Sequence, residues 1–261
     1  MLVVIRGGGD LATGAALRLV RSGMAVVVCE IPCPTSIRRT VCFSEAVRTG
    51  EAVVEGVAAR RAVWEEVPAL VKAGIVPVLV DPEAACVGSL RPAAVVDAIL
   101  AKQNLGTGSG MAPAVVAVGP GFTAGVDCHA VVETMRGHYL GRVYYQGPAL
   151  PNTAVPGLIG GYAGERVLRA PAAGIFQGRR EIGSRVSAGD IVGCVGDAPM
   201  VCTISGVLRG LLADGVPVVQ GMKAGDVDPR CEPDHCRLVS DKALAVGGGV
   251  LEAILHLLRP F

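Results

Sequence analysis

The first thirty residues constrain this chain more than any other stretch. An apolar run, Leu2-Val3-Val4-Ile5, passes through Arg6 into Gly7-Gly8-Gly9-Asp10-Leu11-Ala12, and a helical pattern follows to about Gly23. A second apolar run, Ala25 to Cys29, ends on Glu30. Strand, glycine-rich turn, helix, strand and terminal carboxylate is the order of a βαβ unit whose turn can cradle a pyrophosphate. Gly7 lets the chain turn, Gly9 lets the backbone approach a phosphate, and Ala12 lets helix and strand pack closely. The helix N-terminus adds free N–H groups and a positive dipole end. Glu30 can accept hydrogen bonds from a ribose, and its charge disfavours a 2′-phosphate, which favours NAD over NADP. Asp10 would face a bound phosphate with like charge unless it caps the helix. The plainer alternative is a βαβ unit that uses its glycines for a tight turn alone.

Composition narrows the class. A chain of 261 residues, 51% of them hydrophobic, can bury a large core and is expected to form two domains. A net charge of +1 and an aromatic content of 3% leave neither the basic footprint nor the stacking platforms of a nucleic-acid binder. The longest uncharged run, Gln103 to Val126, is broken by six glycines and two prolines, so no membrane span is expected. Arg6 and the triple glycine come too soon for the apolar core of a signal peptide, and a cytoplasmic location is expected. Nine cysteines without a secretion signal read as free thiols. Neither Cys29 with Cys33 nor the Cys231–Cys236 segment has the paired spacing of a structural zinc site, and no metal is expected.

Further segments place polar groups where strands end. The loop after Glu30 carries Arg38 and Arg39, and Arg38 is a candidate anion binder. Apolar strands at 75–80, 93–98 and 114–118 each run into a loop, and strand–helix alternation to about residue 125 predicts a doubly wound, mostly parallel sheet. The loop after the second of these holds Lys102, Asn104 and Thr107: a point charge and neutral hydrogen-bonding groups. The loop after the third, Gly119-Pro120-Gly121, is a second glycine-rich turn that could offer backbone N–H groups to the same ligand. Ionisable side chains then concentrate at Asp127, His129, Glu133, Arg136 and His138. As a strand, 128–136 puts His129 and Glu133 on one face about 13 Å apart; as a helix they would be neighbours. His129, Glu133, Arg136 and His138 are the candidate acid–base and anion-orienting residues.

From about Arg166 the pattern becomes short β segments that repeat at an offset of 32 residues. Gly174, Gly178, Gly183, Val186 and Gly189 map onto Gly206, Gly210, Gly215, Val218 and Gly221. Matching turn glycines imply two copies of one β motif, paired because neither alone can bury its apolar face. The stretches Arg169 to Ile175 and Ile182 to Val192 resemble the biotinyl/lipoyl-type barrel-sandwich hybrid. Where that family carries its modified lysine, this chain has Gly196-Asp197-Ala198-Pro199-Met200-Val201, so neither biotin nor lipoate is expected. The segment from Ser240 to Leu258 has helical spacing, with Gly247-Gly248-Gly249 weakening its middle. The expected organisation is an α/β fold: a Rossmann-like nucleotide-binding domain over 1–140, an all-β barrel-sandwich domain over 141–235, and a C-terminal helix over 236–261 packing back on the first.

Five segments together, Arg6 to Gly14, Val78 to Glu83, Ala101 to Thr107, Gly119 to Gly125 and Ser240 to Ala245, look like the YqeB-type accessory proteins of selenium-dependent molybdenum hydroxylases, a group loosely related to xanthine dehydrogenase accessory factors. The resemblance spans nearly the whole chain. It implies a maturation protein with a molybdenum hydroxylase as client, assisting cofactor insertion or sulfur/selenium modification. Its ligand would be NAD or a molybdopterin dinucleotide, both of which contain the pyrophosphate that Gly7, Gly8, Gly9, Asp10, Leu11 and Ala12 could hold. Two other readings stand beside it: an NAD-dependent oxidoreductase acting on a small anionic substrate, and a non-catalytic NADH-binding redox sensor. The oligomeric state is open, a homo-oligomer among the options.

Overall fold

The computed structural model describes residues 1–153 and 155–259. They form two compact units, one of Met1–Pro32, Cys42–Thr153 and Val239–Phe261, the other of Cys33–Val41 and Ala154–Leu238. The sequence pattern predicts divisions of the chain after residues 140 and 235. The compact units divide it after 153 and 238 and place residues 33–41 in the second unit.

The first unit is an α/β structure. β1 (Leu2–Arg6), α1 (Asp10–Arg21) and β2 (Ala25–Glu30) form the opening βαβ element. α2 (Glu45–Thr49) and an antiparallel hairpin, β3 (Glu51–Val54) and β4 (Val57–Ala62), precede α3 (Val67–Lys72) and β5 (Val76–Val80). α4 (Cys86–Leu90) leads into β6 (Ala94–Asp97), and an irregular connection into β7 (Ala114–Val118). The short strands β8 (Thr123–Ala124), β9 (Ala130–Val132), β10 (Val143–Tyr144) and β11 (Gly147–Pro148) follow, and α5 (Asp241–Leu257) closes the unit. Nine strands join one sheet in the order β10-β9-β7-β6-β1-β2-β5-β4-β3. Pairing is parallel from β4 through β9, with β3 and β10 as antiparallel edges. The central strands are valine-rich and buried on both faces, as a parallel sheet covered by helices requires. Strand order reverses at β1: β2 and β5 lie to one side, β6, β7 and β9 to the other. No helix among the described residues is long and apolar enough to cross a membrane.

α5 packs mainly on α1 and also against β7, β9 and β10. Ser240 caps it, its hydroxyl accepting the Ala243 N–H at 3.1 Å. Of the stretch 128–136, open between strand and helix in the sequence, only β9 is strand. The Glu133 carboxylate takes the N–H groups of Thr134 and Met135 and so ends the ladder there.

The second unit is all β. Its strands are β12 (Val167–Arg169), β13 (Gly174–Gly178), β14 (Arg185–Val186), β15 (Ile191–Val195), β16 (Ala198–Val201), β17 (Gly206–Leu211), β18 (Pro217–Val218) and β19 (Lys223–Asp228). They form two antiparallel sheets, β12-β19-β17-β14 and β16-β15-β13-β18. A shift of 32 residues carries β12, β13, β14 and β15 onto β16, β17, β18 and β19, and it converts the first sheet's order into the second's. Register follows: Leu168 lies opposite Gly225, and Met200 opposite Gly193. The core is shared in the same way, with Phe176 and Leu208, Val192 and Ala224, and Val195 and Val227 all buried in one cluster. Each half thus lends strands to both sheets, which is why neither can bury its apolar face alone.

A buried ion network breaks this symmetry. Asp226 accepts hydrogen bonds from Arg166 and Arg209, and Asp228 from Arg209 and Arg230. Burial alone would raise the Asp228 pKa. The hydrogen bonds from Arg230 and the charge of Arg209 outweigh it and hold the carboxyl well below the usual carboxylate range. Because the folded value lies below the unfolded one, the stabilisation is complete above the unfolded carboxylate pKa of about 4 and is lost as pH falls below it. Asp228→Asn is therefore expected to lower the thermal midpoint at pH 7, with the gap to the parent narrowing on acidification toward pH 2. A gap independent of pH would show that the charge of Asp228 is not what stabilises the unit.

Candidate functional site

The reversal of strand order at β1 brings the carboxyl ends of β1, β2 and β6 side by side, and the glycine turn leaves the end of β1. Gly7 has φ +93°, and a Cβ there would stand 2.9 Å from the Ala98 carbonyl oxygen. Gly8 is buried: its carbonyl accepts the Ser44 N–H at 2.9 Å and the Thr13 hydroxyl at 3.2 Å. Gly9 caps α1, and its carbonyl accepts the Thr13 N–H at 2.8 Å. Asp10, Leu11 and Ala12 form the first turn of that helix.

Glu30, the last residue of β2, folds back onto this turn. One carboxylate oxygen accepts the Gly8 N–H at 2.7 Å and the other the Ile31 N–H at 2.8 Å. Burial pushes its pKa up, and the two backbone donors partly offset that. Each oxygen keeps a second lone pair for a ligand hydroxyl.

A polar cluster joins the ends of β1 and β6, and of its members sequence reasoning named only Thr107. Arg6 and Asp97 end the adjacent parallel strands β1 and β6 in direct register, with their side chains 3.5 Å apart. The Thr107 hydroxyl sits between them: Arg6 Nη1 donates to it at 2.5 Å, and it donates to Asp97 at 2.6 Å. Arg6 Nη2 donates to the carbonyls of Leu105 and Pro82 at 2.9 and 3.2 Å. Asp97 is 1% exposed and Arg6 2%, so this is a buried, paired charge. The signal was present in the sequence as opposite charges closing two strands.

Two nearby loops touch through their backbones. Asn104 closes its loop on Thr107, donating to its carbonyl and accepting its N–H, both at 2.8 Å. Lys102 is exposed with φ +63°. A Cβ on Gly121 (φ +108°) would stand 2.6 Å from the Gln103 nitrogen, and one on Gly119 would stand 3.0 Å from the Thr134 hydroxyl. Glycine at 121 is thus required by the close approach of these loops, and glycine at 119 by its positive φ and the packing of Thr134.

The remaining candidates lie elsewhere. Arg38 is buried in the second unit, where Nη2 donates to the carbonyls of His235 and Leu238 at 2.9 Å each. His129 Nδ1 accepts the Val115 N–H at 2.9 Å. Glu133 is fully buried and binds three backbone N–H groups, of Thr134, Met135 and Leu150. His129 and Glu133 therefore serve different backbone partners and are not brought together as a pair. Arg136 makes a two-pronged bond to Asp241 at 2.7 and 3.0 Å. His138 is exposed, edge-on to Tyr139.

One thiol pair lies at the same sheet edge. Cys29, next to Glu30, has its sulfur 3.3 Å from that of Cys86. The Cys86 thiol and burial push the Cys29 thiol far above its ordinary pKa.

No family model matches the chain. Among solved structures, a succinylglutamate desuccinylase/aspartoacylase from Rhodobacter sphaeroides shares 22% identity over 24% of this chain and 22% of its own, with a TM-score of 0.21. An aspartoacylase family protein from Mesorhizobium loti shares 11% identity over 87% of this chain and 83% of its own, with a TM-score of 0.27. Scores this low define neither fold nor function. Sequence similarity is far stronger: the uncharacterized protein YqeB of Escherichia coli (strain K12) is 53% identical over 259 residues, 99% of this chain and 48% of that protein. The chain is thus a relative of YqeB that spans about half of YqeB's length.

Proposed function

We propose that this protein is a YqeB-type accessory protein that binds a nucleotide-containing ligand, NAD or a molybdopterin dinucleotide, and assists cofactor insertion or sulfur/selenium modification in a molybdenum hydroxylase client. In this reading the first unit is a Rossmann-like domain. Six of its seven parallel strands run β5-β2-β1-β6-β7-β9, the order of doubly wound dinucleotide-binding sheets, whose ligands sit where the order reverses. The observation that carries the reading is the Glu30 carboxylate fixed on the Gly8 N–H at that point. A carboxylate held in that orientation would suit a ribose diol, and the adjacent helix N-terminus favours phosphate. Lys102 and Asn104 would lie on the rim facing the ligand's second half.

The second unit in this reading is a barrel-sandwich module that docks the client. The hairpin between its two repeats turns at Gly196-Asp197 and offers no lysine to modify. The oxidoreductase reading draws its acid–base groups from His129, Glu133, Arg136 and His138. The first three are engaged in bonds that hold backbone or an ion pair, so the accessory role is preferred.

Thermal-shift titration with NAD, NADH, NADP, CTP and a molybdopterin dinucleotide extract, followed by calorimetry, tests the proposal. A ligand at 100 times its Kd should stabilise the protein by about 2.7 kcal/mol. Glu30→Ala should weaken that ligand by about 1–3 kcal/mol. Unchanged affinity would remove the ribose from Glu30, and no shift with any nucleotide would reject the ligand class.

A further inference from the structure

Three sulfur and oxygen ligands converge at the carboxyl edge of the first unit. Cys29 is the penultimate residue of β2, Cys86 the first of α4, and Asp81 the residue after β5. One ligand atom from each lies within 4.8 Å of the other two. The Asp81 carboxylate is held in place by the N–H groups of Ala85 and Cys86, at 3.0 and 2.9 Å on separate oxygens. Each oxygen keeps a lone pair directed elsewhere.

We propose that Cys29, Cys86 and Asp81 form a binding site for one thiophilic d10 cation, zinc in its simplest form, with a fourth position left open. Distances separate this from a disulfide. A tetrahedral zinc with Zn–S bonds of about 2.3 Å spans its two sulfurs by about 3.8 Å. The thiols at 3.3 Å need to part by only about half an ångström to reach that span. A disulfide at about 2.05 Å would need them to close by about 1.3 Å. Two thiolates select a soft cation over magnesium or calcium. The backbone donors on Asp81 supply the outer-shell orientation that ligating carboxylates need. Three protein ligands and an open position describe a site that engages another molecule, unlike a closed structural centre. On binding, both thiol protons leave to solvent and two sulfur–metal bonds form. Asp81 is half-buried between exposed Pro82 and Val80, which gives the ion a way in. The proposal is independent of the nucleotide reading.

The full chain, reduced and stripped with a chelator, would be titrated with zinc against a chromophoric competitor, and with cobalt to read sulfur-to-metal charge-transfer bands. One equivalent is expected, and Cys29→Ser or Cys86→Ser should weaken it on the order of 100-fold or more, with loss of the near-ultraviolet cobalt band. Asp81→Asn should weaken it by about 10-fold while keeping the band, and Cys33→Ser should change nothing. X-ray absorption on the zinc-loaded parent protein needs no variant to fold and should show two sulfur neighbours with oxygen completing the shell. Any of three results would overturn the site: no uptake by the reduced protein, uptake unaltered in both cysteine variants, or a shell of one or four sulfurs.

Discussion

Asp97→Asn is expected to destabilise the first unit by about 3–5 kcal/mol, because it leaves the Arg6 guanidinium buried without its counter-charge. The side chain of Asp97 is closed from water, and its oxygens serve Thr107 and the Ile99 N–H. Asparagine keeps the shape and removes only the charge. Arg6 would retain the Leu105 and Pro82 carbonyls, which are neutral acceptors and cannot balance a full positive charge in a low-dielectric site. For a unit of this size the thermal midpoint should fall by roughly 10 °C. Thr107→Val should cost less, about 1–3 kcal/mol, since the ion pair survives while one bridging hydroxyl is lost. The double variant Arg6→Met/Asp97→Leu should be less damaging than Asp97→Asn alone, because removing both charges also removes their desolvation cost. If the double variant were as unstable as the sum of its singles, the two residues would not be acting as a pair. On the proposed nucleotide reading the same variants reach further: Arg6 leads into the glycine turn, so loosening it should weaken the proposed binding in step with stability.

Sequence reasoning reached the elements set by local pattern. The opening βαβ order, the strands expected over 75–80, 93–98 and 114–118, and the helix after Ser240 all follow from apolar runs and turn residues, and the structure has them within a residue or so of those bounds. The 32-residue repeat was legible because turn glycines recur, and it carried information about topology: the same shift exchanges the two sheets. What stayed hidden depends on contacts between residues far apart in the chain. Arg38 reads as an anion binder after a strand end, yet its partners are the carbonyls of His235 and Leu238, about two hundred positions away. By spacing, Cys29 pairs with Cys33, four residues on, yet its neighbour in space is Cys86. His129 and Glu133 suggested proton transfer because both are ionisable and near one another in sequence. Side-chain bonds to backbone N–H groups gave them structural work that no spacing rule registers.

Gly14→Val should be among the most damaging single changes in the chain, at or above about 3 kcal/mol, the upper end of the usual cost of overpacking. A Cβ on Gly14 of α1 would stand 2.7 Å from both the Cβ and the carbonyl oxygen of Ala243 in α5, and one on Gly247 would stand 2.7 Å from the Gly14 carbonyl oxygen. Those neighbours belong to helix backbone or are fixed to it, so a side chain can be admitted only by prising the two helices apart. Gly247-Gly248-Gly249 reads as a weak stretch on propensity, and two of the three glycines are there for close packing: a Cβ on Gly249 would meet Val132 at 2.8 Å. Gly248 has nothing within 4 Å of its Cβ position and supplies the internal control. Gly248→Ala should stabilise by up to about 1 kcal/mol through helix propensity alone, while Gly247→Ala should destabilise despite the same gain. Thermal melts of the two alanine variants therefore should move in opposite directions. Equal shifts of one sign would mean that α5 does not seat on α1 through these glycines. Because α1 begins at the Gly9 cap, prising α5 away should also disturb the turn on which Glu30 rests, and on the proposed nucleotide reading affinity should fall in Gly14→Val but not in Gly248→Ala.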